Sequence, residues 1–326
     1  MNFSGMSWPA SRPRSLASVR MVLRSLWLCG AAALASCGGG TTQQQAFLPD
    51  RVIAMGDETS LVQADGRKFA VNALSATDTI DCSSNPMWVQ TMASSYSFVF
   101  SQCNPSAALV TNAIMRAALG AKVAELKTQV DAQVAAGGFN SKDLVTMLVG
   151  ANDVLELYAQ FPARSEADLI SEARTRGERI AEQVNRVVGL GGKVIVATVI
   201  DLGLSPYARA QKAAFTDTDR AALLTRLVAA LNGRVRVGIV NDGRLVGLVL
   251  ADEMLQAMVI SPASFGLSDA TTAACNVALP GCTSKTLVDT ATATTWLWAD
   301  GTRMSAAGQA RLGLLGQQRA LNNPFF

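Results

Sequence analysis

Histidine is absent from all 326 positions. That removes the usual general base, a common metal ligand and the side chain that ordinarily titrates near neutral pH. Also missing are an internal repeat and a glycine-rich phosphate loop. No basic stripe of the kind that tracks a nucleic-acid backbone is present, so no nucleic-acid partner is expected. The 28 Lys and Arg residues outnumber the 25 Asp and Glu, but the excess lies at one end. Arg12, Arg14, Arg20 and Arg24 fall in the first 36 residues, which hold no acid, and the remainder carries about one net negative charge. The length suits one α/β domain of moderate size plus a leader, with no second domain required.

What is present begins with that leader. Its arginines precede an apolar run from Leu26 to Leu34, too short for a stable transmembrane helix, followed by Leu34-Ala35-Ser36-Cys37. Residues 1–36 resemble a bacterial lipoprotein signal with its lipobox. The resemblance implies that Cys37 becomes the acylated first residue, a lipid anchor in the membrane, and that Gly38 beside it favours the outer membrane, facing the periplasm or the exterior. Met21 is an alternative start, since Met21 to Cys37 alone makes a compact signal. Residues 37–49, with Gly38-Gly39-Gly40-Thr41-Thr42-Gln43-Gln44-Gln45, read as a flexible tether. Residues 50–326 are the folded domain.

Of the six cysteines, Cys29 lies in the leader and Cys37 at its end. Cys82, Cys103, Cys275 and Cys282 remain, an even number in an exported chain, which suggests disulfides. Three pairings are possible, and proximity favours Cys82 with Cys103 and Cys275 with Cys282. A zinc site needs tighter spacing, so no metal and no cofactor is expected.

Along the domain, strand-like apolar runs alternate with helical patterns. Val52–Met55, Asp143–Val149, Lys193–Val199 and Arg244–Leu250 read as buried strands. Helices are expected over Met87–Phe100, over Leu119–Val134 with Val123, Leu126, Val130 and Val134 on one face, over Ser165–Val188, from Asp217 to Val237, and over Met304–Leu321. Phe69-Ala70-Val71 reads as a hairpin strand and residues 261–295 as a long ordered loop. Strand then helix, repeated, predicts an α/β fold, a parallel sheet covered by helices on both faces.

Three short blocks sit at the ends of these elements: Gly56-Asp57-Glu58 after the first strand, Gly150-Ala151-Asn152-Asp153 after the second of those runs, and Asp300-Gly301-Thr302-Arg303 before the last helix. In order and rough spacing they resemble the SGNH hydrolases, the GDSL esterase and lipase family, from about Val52 to Gly316. The resemblance implies a flavodoxin-like sheet and a nucleophilic serine after Gly-Asp. It also implies an Asp-x-x-His pair as orienter and base, and Gly150 with Asn152 as an oxyanion-binding block. A further glycine donor is expected within Thr111–Ala117, where there is none. The serine position holds Glu58 and the histidine position holds Arg303, while Asp300 and Asn152 are retained.

Ester cleavage needs a hydroxyl that can lose its proton and a base tuned to take it. Glutamate has no such hydroxyl, and arginine stays protonated. Loss of nucleophile or base alone costs a serine protease about a millionfold in turnover. Thr59 and Ser60 are adjacent hydroxyls, but moving the nucleophile even one residue along a helix turns it about 100° away, and Glu58 with Asp300 as a glycosidase carboxylate pair has no further support. The two replacements are better read together, as an ion pair between Glu58 and Arg303. Asp300 would hold the arginine from its other side and Arg116 would enter the same cleft; the alternative has each side chain pointing to solvent. The functional expectation is a cell-envelope binding or scaffolding module without ester hydrolysis, its ligand an acylated glycan or lipid-like molecule by resemblance. The alternatives are an active ester hydrolase with an unorthodox site, and an envelope structural protein.

Overall fold

A computed structural model describes residues 47–325 apart from 105, 106 and 108. The leader, Cys37 and the tether up to residue 46 lie outside the described residues. Phe47 packs edge-on against Phe325, with ring centroids 5.5 Å apart. Phe47 is thus packed against the domain, three residues ahead of Asp50.

Five parallel strands form the centre: β1 (Arg51–Gly56), β2 (Ala113–Met115), β3 (Asp143–Leu148), β4 (Lys193–Ala197) and β5 (Val246–Val249), in the order β2-β1-β3-β4-β5. This 2-1-3-4-5 order is the flavodoxin-like one, whose topological switch lies between β1 and β3, at the carboxyl ends of the strands. β1 and β3 are in register from Arg51 with Asp143 to Gly56 with Leu148. Val52 to Met55 and all of β3 are buried, as strands covered on both faces must be, which explains their unbroken apolar runs.

Helices α1 (Trp88–Ser94) and α8 (Ala306–Asn322) pack together on one side. α2 (Val123–Ala135), α4 (Glu166–Gly189) and α6 (Arg220–Gly238) pack together on the other. Ser165 caps α4 through the Asp168 N–H, and Leu169, Ala173, Ile180, Val184 and Val187 form its buried stripe. α3 (Ala151–Tyr158), α5 (Pro206–Ala214) and α7 (Ala251–Ile260) complete the set. Among the described residues no helix is long and apolar enough to cross a membrane.

Several elements differ from the sequence reading. The helix expected over Met87–Phe100 stops at Ser94, because Ser97 takes a left-handed φ of 61° and turns the chain away. α6 is capped by Asp219, whose carboxylate accepts from the Ala222 N–H; Asp217 instead grips Arg220 at 2.5 Å. Helices α5 and α7 were not anticipated, although Ser205 caps α5 ahead of Pro206 at its first position. Phe69–Val71 is irregular, and the nearby hairpin is Ala73–Leu74 against Ile80–Asp81. The stretch read as loop over 261–295 contains a strand, Asp269–Ala273, paired in parallel with Trp296–Trp298.

The disulfides are Cys82–Cys103 and Cys275–Cys282. The second closes a loop over a small separate core of Val71, Ala274, Cys282 and Ala299. Buried Asn72, just ahead of the Ala73–Asp81 hairpin, is joined to this loop, its amide donating to the carbonyls of Pro280 and Cys282 at 3.0 and 3.1 Å.

Two glycines with positive φ bear on the sheet's carboxyl end and make contrasting predictions. Gly56 has φ +125°, and a Cβ there would lie 1.8 Å from the Leu148 carbonyl oxygen. Gly120 has φ +68° with nothing within 4 Å of such an atom. Gly120→Ala is expected to cost about 1–2 kcal/mol, the left-handed penalty alone, and Gly56→Ala well over about 3 kcal/mol, since backbone must also move. Urea unfolding of the two variants checks the ranking.

Candidate functional site

The turn after β1 is fixed before any functional side chain appears. Gln129 of α2 clamps Gly56 from both sides, its carbonyl oxygen accepting from the Gly56 N–H at 2.7 Å and its amide donating to the Gly56 carbonyl at 2.8 Å. The Asp57 N–H donates to the Leu148 carbonyl at 3.1 Å. With the backbone held against the end of β3, the side chain of residue 58 is aimed into the crevice at the switch point, where ligands bind in open α/β sheets.

Glu58 is 3% exposed, and both its oxygens are engaged. Oε2 accepts from the Gly120 N–H and from Asn152 Nδ2, each at 3.0 Å. Oε1 accepts from Arg303 Nε at 3.0 Å and Nη2 at 2.5 Å. The second hydrogen of the Asn152 amide goes to the Ala121 carbonyl at 3.1 Å, so that amide is fully spent. Arg303 turns its other terminal nitrogen, Nη1, to Asp300 Oδ2 at 2.8 Å. Asp300 Oδ1 accepts from the Thr302 and Arg303 N–H groups at 2.8 and 2.7 Å, which sets the turn ahead of α8. The guanidinium thus lies between two carboxylates, the geometry its planar fork suits.

The electrostatics follow from burial and partners. Burial alone would push Glu58 up, but the Asn152 donor and the Arg303 charge overcome it and hold its carboxyl below the ordinary value. Burial would lower Arg303, yet Asp300 and Glu58 raise it further. Asp57 goes the other way. It is 1% exposed, its Oδ2 has no hydrogen-bond partner, and burial together with the Glu58 charge pushes it up to about 7.

Glu58, Asn152, Asp300 and Arg303 are therefore brought together, and the salt bridge expected from the sequence is formed. Three expectations are corrected. The second donor to residue 58 is Gly120, in the turn after β2 and just beyond Thr111–Ala117, where a glycine donor was expected. Gly150 is not in that role: at φ +124° it caps α3, its carbonyl accepting from the Val154 N–H at 3.0 Å, and a Cβ there would meet Val199 at 2.8 Å. Arg116 stays out of the cleft, its Nε donating to Gln133 at 3.1 Å. Ser60 is fully buried and accepts from Trp88 Nε1 at 3.0 Å, a structural bond. Asp153 holds the start of α2 through the Val123 N–H and pairs with Arg176 at 3.1 Å.

Little space is left. The cavity lined by Asp57, Thr59, Leu155, Ile200 and Met304 beside the pair measures about 30 Å³, room for roughly one water against about 300 Å³ or more in a ligand pocket. Phe69 roofs it, 5.8 Å from the Arg303 guanidinium carbon. Neighbouring Lys68 secures the roof: wholly buried, its ammonium donates to the carbonyls of Cys82, Ser84 and Asn85 at 3.0, 2.6 and 2.9 Å. Among the described residues no cluster of three or more His, Cys, Asp or Glu is placed to hold a metal.

No family model matches the chain. A GDSL esterase/lipase of Arabidopsis thaliana is 22% identical over 149 residues, 41% of this chain and 37% of its own length; the chain thus spans just over a third of that curated relative. Among solved structures, a lipase from goat rumen metagenome superposes with a TM-score of 0.46 at 11% identity, over 84% of this chain and 97% of that one. An acetylxylan esterase from Geobacillus stearothermophilus gives 0.41 at 13%, over 86% and 98%. The chain is similar to the SGNH hydrolases, the GDSL esterase and lipase group, and has an α/β fold with a parallel sheet flanked by helices.

Asp57 supplies a test of the electrostatics. Between its ordinary value of 3.8 and about 7, the folded chain holds a proton that the unfolded chain has released, so this group's contribution to stability falls as pH rises through that window. Asp57→Asn removes the titration. The stability of the variant relative to wild type is expected to improve by about 2–3 kcal/mol between pH 5 and pH 8 in urea unfolding. A pH-independent difference would mean that Asp57 stays ionised in the fold.

Proposed function

We propose that this chain is a cell-envelope protein whose SGNH/GDSL hydrolase-like domain does not cleave esters and serves as a binding or scaffolding module. The observation that carries this reading is the placement of the Glu58 carboxylate. Its Oε2 takes the two hydrogen bonds, from Gly120 and Asn152, that the forming oxyanion of an ester would require. A carboxylate merely beside an oxyanion hole would repel the charge developing there; this one fills the place itself. Arg303, held between Glu58 and Asp300, stays protonated and cannot accept a proton. It also denies the two acids a free role as a glycosidase pair, since it donates to both.

The export half of the proposal rests on the leader, with its basic start, short apolar run and Cys37 in a lipobox, and the two disulfides fit an oxidising compartment. The anchor would be the acylated Cys37 in the outer membrane. The ligand class, an acylated glycan or a lipid-like molecule, rests on resemblance alone. With about 30 Å³ open beside the ion pair, such a ligand would seat on the rim or outer surface.

Assay of the purified chain against short and long acyl esters is expected to give no turnover above a heat-denatured control. Hydrolysis at enzymatic rates that disappears in Glu58→Ala would reject this reading in favour of an active ester hydrolase with an unorthodox site.

A further inference from the structure

Every polar bond that Glu58 makes through its side chain is one that a free carboxylate could make. Two neutral donors, the Gly120 N–H and Asn152 Nδ2, converge at 3.0 Å on one oxygen. A charged pair, Nε and Nη2 of Arg303, converges on the other at 3.0 and 2.5 Å. These four donors come from three separate parts of the chain, the turn after β2, the start of α3 and the turn before α8. Each is held by something other than residue 58. Asn152 is tied to the Ala121 carbonyl and Arg303 to Asp300. Gly120 precedes α2, whose first turn is fixed by Asp153 and whose Gln129 grips Gly56. A donor set supported in this way should survive loss of the group it binds.

We propose that the cleft is a preformed receptor for a small carboxylate, kept shut in the native chain because its own residue 58 is the ligand. The class of ligand follows from the donors: two oxygens on one carbon, one facing amide hydrogens and the other a guanidinium fork. The size follows from the tether. Replacing glutamate by alanine deletes a methylene and a carboxylate, the atoms of one acetate ion, and the remaining cavity adds only about 30 Å³. Formate under-fills the gap, acetate matches it and butyrate exceeds it. In the native chain the internal carboxylate has no translational freedom to lose and outcompetes any free one. The inference rests on the reading of residue 58 as a plug rather than a participant in ester chemistry.

The test is chemical rescue of Glu58→Ala. Thermal unfolding is followed in sodium acetate, formate, butyrate and chloride at one ionic strength and at pH 7, where all three acids are ionised, for the variant and for wild type. The expected result is a saturable rise in the variant's midpoint with acetate, about 3 °C or more above chloride at concentrations well over the dissociation constant. The rise is smaller with formate and butyrate and absent in wild type. Adding Asn152→Ala to the variant removes one donor and is expected to weaken the acetate response at least about tenfold in half-saturating concentration. If Glu58→Ala does not fold in chloride, its refolding yield in acetate against chloride reads the same property. An acetate response no larger than that of chloride, an equal response in wild type, or equal yields in both salts would overturn the proposal. Ester turnover by wild type bears on the function proposed above and leaves this outcome unaffected.

Discussion

A carboxylate taken almost wholly out of water has to find inside the fold the solvation it gives up, and the carboxyl end of this sheet is built to meet that demand. The desolvation of an unpaired ion amounts to several kcal/mol even after relaxation. Glu58 answers it with four donor bonds, two of them from a guanidinium. Arg303 is answered in turn by Asp300, whose other oxygen is spent on backbone N–H groups of the same turn. The chain of compensation ends at Asp57. Buried beside Glu58 with one oxygen lacking a partner, it is pushed up to about 7 by desolvation and by the Glu58 charge. The upward shift of Asp57 comes first from its own burial and then from the Glu58 charge, and the two adjacent acids are shifted in opposite directions by their surroundings.

This accounting depends on backbone placed to within tenths of an ångström. The approach of Gly56 to the Leu148 carbonyl sets the direction of residue 58, and the double hydrogen bond from Gln129 fixes that turn to α2. On the far side, Phe69 closes the cleft because Lys68 gathers the carbonyls of a loop that the Cys82–Cys103 bridge also ties. Burial lowers Lys68 to about 8, the expected direction for an ammonium solvated only by carbonyl oxygens. The cleft is thus shut on one side by Glu58 and Arg303 and on the other by Phe69, carried on a segment with its own supports.

How much of this could be read from residues alone depends on what kind of signal each part leaves. Strands β1, β3 and β4 were legible because a strand buried on both faces must be apolar throughout. Residues 58, 152, 300 and 303 were legible because a side-chain substitution within a recognisable block is visible in the letters. The Gly120 donor was not, since a backbone N–H carries no residue-type signature and the turn after β2 runs longer than the block suggested. The face of α2 was drawn through Val134, which is 40% exposed, while Gln129 and Gln133 are buried. A periodicity argument counts apolar residues and cannot see that a glutamine is inside because it has two backbone groups to bind. Arg116 was misplaced for a related reason: charge drew it toward the cleft, whereas Gln133 gives it a partner. Helix α7 was missed because it begins two residues after β5 ends, and α5 because its nine residues follow a loop that dominates the pattern.

The pairing also bears on how such a cleft can come to hold an acid and a base at all. Glutamate at position 58 without a cation opposite would place an unpaired charge next to buried Asp57 and near Asp300, a cost of several kcal/mol. Arginine at 303 facing a neutral hydroxyl would keep Asp300 but lose its second carboxylate. Each change alone leaves a buried charge poorly matched; together they satisfy every donor of the guanidinium that faces the cleft and both oxygens of the acid. Energetic coupling is the expectation for residues in contact in this way, whereas side chains that had merely drifted would show none. Drift predicts independent, solvent-directed side chains, while Glu58 here is buried with both oxygens bound.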